Sequence, residues 1–104
     1  MKIVGVEWDA GNWPKCGKHG VSQAEIEYVL ATARFRVPDP DPAETRFRTA
    51  GKTEAGRHVF VVYTYREDGA RSGGGGGTFI RPISARYMHG KEVKSYEQYQ
   101  ESLA

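Results

Sequence analysis

The sequence predicts an α+β fold in which helices pack on a small antiparallel β-sheet. Three observations lead to this class: a helix with complete start signals in the first half, three strand-like segments in succession after it, and a second helix at the end. Successive strands joined by short connections pair as antiparallel neighbours, and the flanking helices bury their apolar sides on the sheet. The chain has 104 residues, so we expect residues 1–104 to form a single domain.

The chain begins with a strand and an irregular connection. Lys2–Trp8 is rich in valine and alternates loosely between apolar and polar residues, which predicts a strand. Glycines and a proline interrupt the segment Asp9–Gly20. We therefore expect a loop or a short irregular helix there.

The helix that follows has the best-defined start. Ser22 and Glu25 have the spacing of a capping box, and Val21 and Ile26 are placed to form a hydrophobic staple around it. We expect the helix to end near Arg34, because the prolines beyond it cannot continue a helix. Its apolar face repeats at helical spacing and comprises Ile26, Val29, Leu30 and Ala33.

The predicted sheet continues after an extended, proline-rich loop at residues 38–42. Arg46–Gly51 predicts a strand that places Arg46 and Arg48 on one face. Arg57–Arg66 is the strongest strand signal, with apolar or aromatic residues on both faces, which is typical of a central strand.

The last predicted strand, Ile80–Arg86, contains Arg81, Ser84 and Arg86. An arginine side chain presents a charged planar fork that matches a phosphate or a carboxylate. Pro82 has no N–H to donate, so it indicates either an edge position or a bulge. A bulge would also change the face of the strand on which each arginine lies.

The remaining segments are a glycine-rich loop and a closing helix. The loop Glu67–Gly77 ends in five glycines and predicts a flexible hairpin tip, because a phosphate cradle would need a helix after it and a strand follows here. Gly90–Leu103 predicts the closing helix, with Val93, Tyr96 and Leu103 on one side.

Charge is distributed unevenly along the chain. The net charge is +2 overall, but it is −2 over residues 1–45, +6 over residues 46–94 and −2 over the last ten residues. The basic charge therefore lies on the predicted sheet and the start of the last helix. This pattern suits a polyanion such as RNA, although a solvated basic face is an equally simple explanation.

Other classes of site have little support. Cys16 and His19 have a spacing that suits zinc, but no second pair with metal-ligand spacing follows, so we expect no metal and no cofactor. Nothing marks Cys16 as a nucleophile. The strand aromatics, such as Tyr63 and Tyr65, fit a core better than a base-stacking surface. No segment is long and apolar enough to cross a membrane, and the single cysteine, Cys16, fits a reducing cytoplasm. We therefore expect a cytoplasmic protein without membrane contact.

The remaining polar residues suit phosphodiester cleavage without a metal ion. Such cleavage needs a base for the attacking 2′-hydroxyl, cations for the charge that builds on the phosphorane, and an acid for the leaving oxygen. Histidine suits proton transfer, and arginine suits the developing charge. The arginines could instead form ion pairs with Glu7, Asp9 or Glu97. The candidates are Lys18, His19, Arg46, Arg48, Arg81, Ser84, Arg86, His89 and Tyr96.

An ordered set of short motifs resembles the BrnT family, the ribonuclease toxins of a type II toxin–antitoxin system. The resemblance covers nearly the whole chain. The motifs are Glu7-Trp8-Asp9, Lys18-His19-Gly20-Val21-Ser22, Arg46-Phe47-Arg48, Gly51–Arg57, Phe60–Thr64, Ile80–Arg86, Lys91-Glu92 and Tyr96-Glu97.

The resemblance implies a RelE-like fold and a metal-independent endoribonuclease that inhibits translation. It also implies a ribbon-helix-helix antitoxin, whose complex with the toxin binds operator DNA. The residues that match the family's motifs are assigned as follows: His19, Arg46, Arg81 and Arg86 are catalytic, and Lys18, Arg48, Ser84 and Tyr96 bind the substrate. We expect cleavage by 2′-hydroxyl attack, which leaves a 2′,3′-cyclic phosphate.

The chain departs from the family pattern in two places. Residues 10–17 are shorter than the family's equivalent segment and are interrupted by Pro and Gly, and the five-glycine tip is unusual. These departures motivate an alternative function, a catalytically weak or inactive module that binds an antitoxin and acts as an operon co-repressor. A stand-alone RNA-binding protein is a third possibility.

Overall fold

The predicted α+β class is confirmed by the structure. The computed structural model of the chain describes residues 3–34, 36–38, 45–67 and 77–103. Its elements, in chain order, are β1 (Ile3–Val6), a 3₁₀ turn (Lys15–Gly17), α1 (Gln23–Thr32), β2 (Val37–Pro38), β3 (Phe47–Lys52), β4 (His58–Glu67), β5 (Thr78–Tyr87) and α2 (Gly90–Leu103). Within the described residues, no helix is long and apolar enough to cross a membrane.

The sheet has the strand order β1-β5-β4-β3-β2. The three predicted strands of the second half, β3, β4 and β5, form the expected antiparallel meander, each within two residues of its predicted bounds. Two features differ from the prediction. β1 ends at Val6 rather than Trp8 and runs parallel to β5, and the two-residue β2, which was not predicted, pairs with β3. β1 stops there because the chain turns away at Asp9.

The helix α1 begins with the predicted capping box. Ser22 Oγ accepts from the Glu25 N–H at 3.1 Å, and the Glu25 carboxylate accepts from the Ser22 N–H at 2.9 Å. The helix ends at Thr32, two residues before the predicted end, because Ala33 is already extended. Its apolar side packs on β3 and β4.

The core lies between α1 and one face of the sheet. The odd-numbered residues of β4 from Val59 to Tyr63 are fully buried there, which confirms that Tyr63 belongs to the core. Tyr65 packs against the edge of this cluster. The buried cluster comprises Cys16, Val21, Ile26, Val29, Leu30, Val59, Val61, Tyr63, Ile80 and Ala85.

The helix α2 has the predicted bounds and lies on the other face of the sheet, beside Phe60. None of its described side chains is fully buried. Tyr96 contacts the edge of the His58 ring at 5.3 Å between centroids. Two predictions concern residues outside the described part of the chain: most of the proline-rich loop and the five-glycine tip.

Candidate functional site

A bulge in β5 places its two arginines on one face of the sheet. Val62 pairs with Ser84 and Tyr63 pairs with Pro82, so Ile83 has no partner on β4. Residues that oppose each other on antiparallel strands share a face, and a bulge shifts the alternation by one residue.

The pairing of Thr64 with Arg81, and of Phe60 with Arg86, then puts both arginines on the face that α2 partly covers. Five positions separate the two arginines, so a regular strand would place them on opposite faces. Pro82 indicated either an edge position or a bulge, and the structure has a bulge beside it, at Ile83. At this proline β5 has a strand on one side only, because its pairing with β1 ends at Ile80.

A cavity of about 220 Å³ opens on this face. Four of the eight predicted site residues line it, and they supply an imidazole, two guanidinium groups and a hydroxyl. The lining comprises His19, Arg48, Phe60, Val62, Ser84, Ala85, Arg86 and Glu92. The sequence therefore identified the polar part of this lining except Glu92.

His19 reaches the cavity from the end of the irregular connection. The 3₁₀ turn packs on β5 and buries Cys16, and burial raises the pKa of the Cys16 thiol. Gly20 follows with a φ of +91°, in the left-handed region that favours glycine. The Gly20 N–H donates to the Gly17 carbonyl at 2.9 Å, which closes the turn that presents His19.

Arg86 is held by a bidentate ion pair with Glu92, in the first turn of α2. Its Nη1 donates to Oε1 at 2.8 Å and its Nη2 donates to Oε2 at 2.7 Å. These bonds, together with a bond from the His89 N–H, lower the pKa of Glu92 to about 2, and they raise the pKa of Arg86. The Arg86 guanidinium also lies 4.9 Å from the Phe60 ring centroid. Arg86 remains 42% exposed, so solvent and ligands can reach it.

Arg81 lies in a separate ion-pair network, where it bonds two of the carboxylates proposed as structural partners. Its Nη1 donates to Glu7 at 2.9 Å, and both Nη atoms donate to the Asp9 carboxylate at 2.8 and 2.9 Å. The bonds from Arg81 and from the Gly11 N–H lower the pKa of Asp9 to about 2. Arg66 shares the Glu7 carboxylate at 3.0 Å. With 19% of its side chain exposed, Arg81 is less accessible than Arg86 and does not line the cavity.

Three further predicted residues lie outside the cavity lining. Lys18 is exposed beside His19, and Arg46 is half-buried just before β3. Tyr96 lines a neighbouring apolar groove of about 380 Å³ between α2 and the sheet. Phe60 and Glu92 line both the groove and the cavity, so the two are continuous.

Glu92 was not predicted as a site residue, although the sequence contains a signal for it. Glu92 is the third residue of α2, where a glutamate side chain can accept from the backbone N–H that precedes the helix. That bond is present, from the His89 N–H to Oε1 at 2.9 Å. His89, which was also a candidate, is exposed and does not line the cavity. Among the described residues, no group of three or more His, Cys, Asp or Glu side chains could hold a metal ion.

The fold and the cavity define a small α+β protein with a cationic site suited to an anionic ligand. The model of one protein family, described as the ribonuclease toxin BrnT of a type II toxin–antitoxin system, matches residues 8–92. The chain therefore belongs to the BrnT family, which confirms the resemblance. No curated protein and no solved structure gives a significant match. A RelE-like fold stays a prediction, and the observed strand order is compatible with it.

Family membership gives the chain's function in outline. It is a toxin of a type II toxin–antitoxin system with ribonuclease activity, so its substrate is RNA and its partner is an antitoxin. Every residue that lines the cavity lies within the matched range.

Proposed function

We propose that this toxin is a metal-independent endoribonuclease and that the cavity formed by His19, Arg48, Ser84 and Arg86 is its active site. The observation that supports this proposal is the convergence of these four side chains, from a loop and two strands, on one cavity. The lining supplies cations and a proton-transfer group around a space that can admit a phosphate. Its one carboxylate, Glu92, is already paired with Arg86.

The proposed reaction transfers the phosphate within the RNA strand. His19 takes the proton of a 2′-hydroxyl, the 2′-oxygen forms a bond to the adjacent phosphorus, and the bond from phosphorus to the 5′-oxygen breaks. The 5′-oxygen leaves with a proton from an acid or from water. The products are a 2′,3′-cyclic phosphate and a 5′-hydroxyl. Arg86 and Arg48 stabilise the charge that builds on the phosphorane oxygens, and the Ser84 hydroxyl can donate to one of them.

Arg81 has an indirect role in this proposal. Its bonds to Asp9 hold the start of the connection that carries His19, and its bond to Glu7 holds the end of β1. Its guanidinium bonds two carboxylates rather than one and its side chain is less exposed, so it is less accessible to a phosphate than Arg86. Lys18 directly precedes His19, and Arg46 lies two residues before Arg48. Both can therefore contribute to RNA binding by charge.

The biological role that we propose follows the family. Cleavage of RNA would inhibit translation, a ribbon-helix-helix antitoxin would neutralise the toxin, and the complex would bind operator DNA. The inactive co-repressor remains the second candidate. One of the two sequence features that suggested the co-repressor was the altered segment 10–17. This segment is folded against β5 and leads directly to His19 in the cavity. This arrangement favours the enzyme.

Expression of the chain without its antitoxin separates the enzyme from the co-repressor. We expect the native chain to arrest growth and the Arg86→Ala variant to permit it. Lys52→Ala is the matched control, because Lys52 is an exposed cation of the same sheet that does not line the cavity, and it should arrest growth like the native chain. Unimpaired growth with the native chain present at a normal level would support the co-repressor.

A further inference from the structure

The guanidinium of Arg86 has a second binding edge that its ion pair leaves available. A guanidinium carries one N–H on Nε and two on each Nη. Glu92 accepts one from each Nη, in the end-on geometry, and the Tyr87 carbonyl lies 3.4 Å from Nη1. The Nε–H and the outer Nη2–H remain, and they form the side-on fork. Within the described part of the chain, these two donors have no hydrogen-bond acceptor.

Glu92 links the orientation of this fork to the backbone of α2. Its Oε1 accepts both from Arg86 Nη1 and from the His89 N–H at 2.9 Å. The carboxylate is therefore fixed by the first turn of the helix, and the helix fixes the guanidinium through it. The Phe60 ring lies beside the same guanidinium and limits its rotation.

The corresponding edge of Arg81 is less accessible, because only 19% of its side chain is exposed. Both N–H groups of its Nη1 are taken, by Glu7 and by Asp9. The Gly11 backbone also lies close to its Nη2, because a Cβ added at Gly11 would be 2.7 Å from that atom. Of the two arginines on β5, Arg86 is the more exposed, at 42% against 19%, so its side-on edge is the more accessible for two parallel N–H bonds to a phosphate.

We propose that Glu92 is a positioning residue, which holds Arg86 end-on so that its Nε–H and outer Nη2–H face the scissile phosphate. This inference rests on the proposed function of the cavity. A phosphate that instead displaced Glu92 would have to break two charge-assisted bonds and the bond that caps α2. Side-on binding needs none of these losses.

Steady-state kinetics of RNA cleavage by the purified full chain test the positioning role. We expect Glu92→Gln to lower kcat about tenfold and to change KM less than about threefold, because misorientation affects the transition state more than the binding of a long polyanion. Glu101→Gln, which removes the same charge from an exposed position of α2, should leave both constants unchanged. Glu92→Asp, which keeps the charge on a shorter side chain, should retain more activity than Glu92→Gln.

A double variant shows whether Glu92 acts through Arg86. We expect Arg86→Ala combined with Glu92→Gln to be no slower than Arg86→Ala alone. A normal kcat for Glu92→Gln, with Arg86→Ala impaired, would overturn the positioning role and leave the active site intact. A faster Glu92→Gln enzyme would also overturn it and would identify Glu92 as a competitor of the phosphate. If Arg86→Ala cleaves at the native rate, the proposed active site itself is wrong.

NMR of the arginine Nε–H groups gives a readout that does not depend on turnover or on the stability of a variant. The Arg86 signal is assigned by its loss in Arg86→Lys, and inorganic phosphate is then added to the native chain. We expect the Arg86 Nε signal to shift more than that of Arg81. A larger shift at Arg81, or no shift at Arg86 at a phosphate concentration that inhibits cleavage, would contradict side-on binding.

Discussion

The buried side chain of Asn12 should be among the most costly to remove in the connection between β1 and His19. Its Nδ2 donates to the Glu7 carbonyl at 2.9 Å and to the Pro82 carbonyl at 3.0 Å, and its Oδ1 accepts from the Asp9 N–H at 2.8 Å. These three bonds join the end of β1, the bulge of β5 and the connection that leads to His19. Asn12 is 3% exposed, so water cannot easily replace them.

The cost of Asn12→Ala can be worked out from these bonds. A typical net contribution is about 0.5–1.5 kcal/mol for each hydrogen bond, and a buried group left without its partner costs more. Three bonds therefore predict a loss of about 2–4 kcal/mol in the free energy of unfolding. We expect RNA cleavage to fall as well, even where the variant is fully folded, because the connection that carries His19 loses one of its attachments to β5.

Urea unfolding of the native chain and of three variants tests this reasoning. Gln98→Ala is the control, because it truncates an exposed amide of α2, and it should change the unfolding free energy by less than about 0.5 kcal/mol. Asn12→Asp keeps the acceptor and loses both donors, so it should be at least as destabilised as Asn12→Ala at pH 7. An unfolding free energy for Asn12→Ala within about 0.5 kcal/mol of the native value, at an unchanged m value, would refute the reasoning.

Three further predictions concern the core, the carboxylates and the arginine of the cavity. Ile26→Ala, at a position with no exposed surface, should cost about 2–5 kcal/mol in urea unfolding; a loss below about 1 kcal/mol would contradict its central position. Asp9 and Glu92 have ordinary pKa values of 3.8 and 4.5, each lowered to about 2 in the folded chain, so their stabilisation is complete above about pH 5 and is lost as the pH falls towards 2. Thermal unfolding should follow this course, and Asp9→Asn should flatten it. Arg86→Ala should lower kcat by about 10²–10³ while the chain remains folded by circular dichroism; a native rate would remove Arg86 from the site.

The local signals in the sequence predicted much of the fold. The capping box at Ser22 and Glu25 depends on residues three positions apart, so no knowledge of distant contacts is needed to recognise it. The irregularity of β5 beside Pro82 was indicated, as an edge position or a bulge, by the missing N–H of a single residue. The meander follows from strands in succession with short connections.

The features that were not predicted depend on contacts between distant parts of the chain. β2 has only two residues and no periodicity of its own, and it exists because β3 offers it an edge. The parallel pairing of β1 with β5 joins residues far apart in sequence, such as Ile3 and Thr78, and leaves no local pattern.

The candidate site likewise has a part that the sequence predicts, the residue types, and a part that only the folded chain determines, their contacts. The residue types and the family motifs identified His19, Arg48, Ser84 and Arg86, which share a cavity. They could not separate Arg86 from Arg81, because both arginines lie on the same predicted strand and match the same family motif. What distinguishes them is which carboxylates the fold brings to each guanidinium, and how much of the side chain remains exposed.

Analysis of the RNA ends after cleavage tests the central claim most directly. The purified chain is incubated with a defined RNA in EDTA, and the products of the native chain and of Arg86→Ala are compared. We expect fragments that end in a 2′,3′-cyclic phosphate and a 5′-hydroxyl, and we expect few or none from Arg86→Ala. Cleavage that EDTA abolishes, or fragments that end in a 3′-hydroxyl and a 5′-phosphate, would contradict a metal-independent attack by the 2′-hydroxyl.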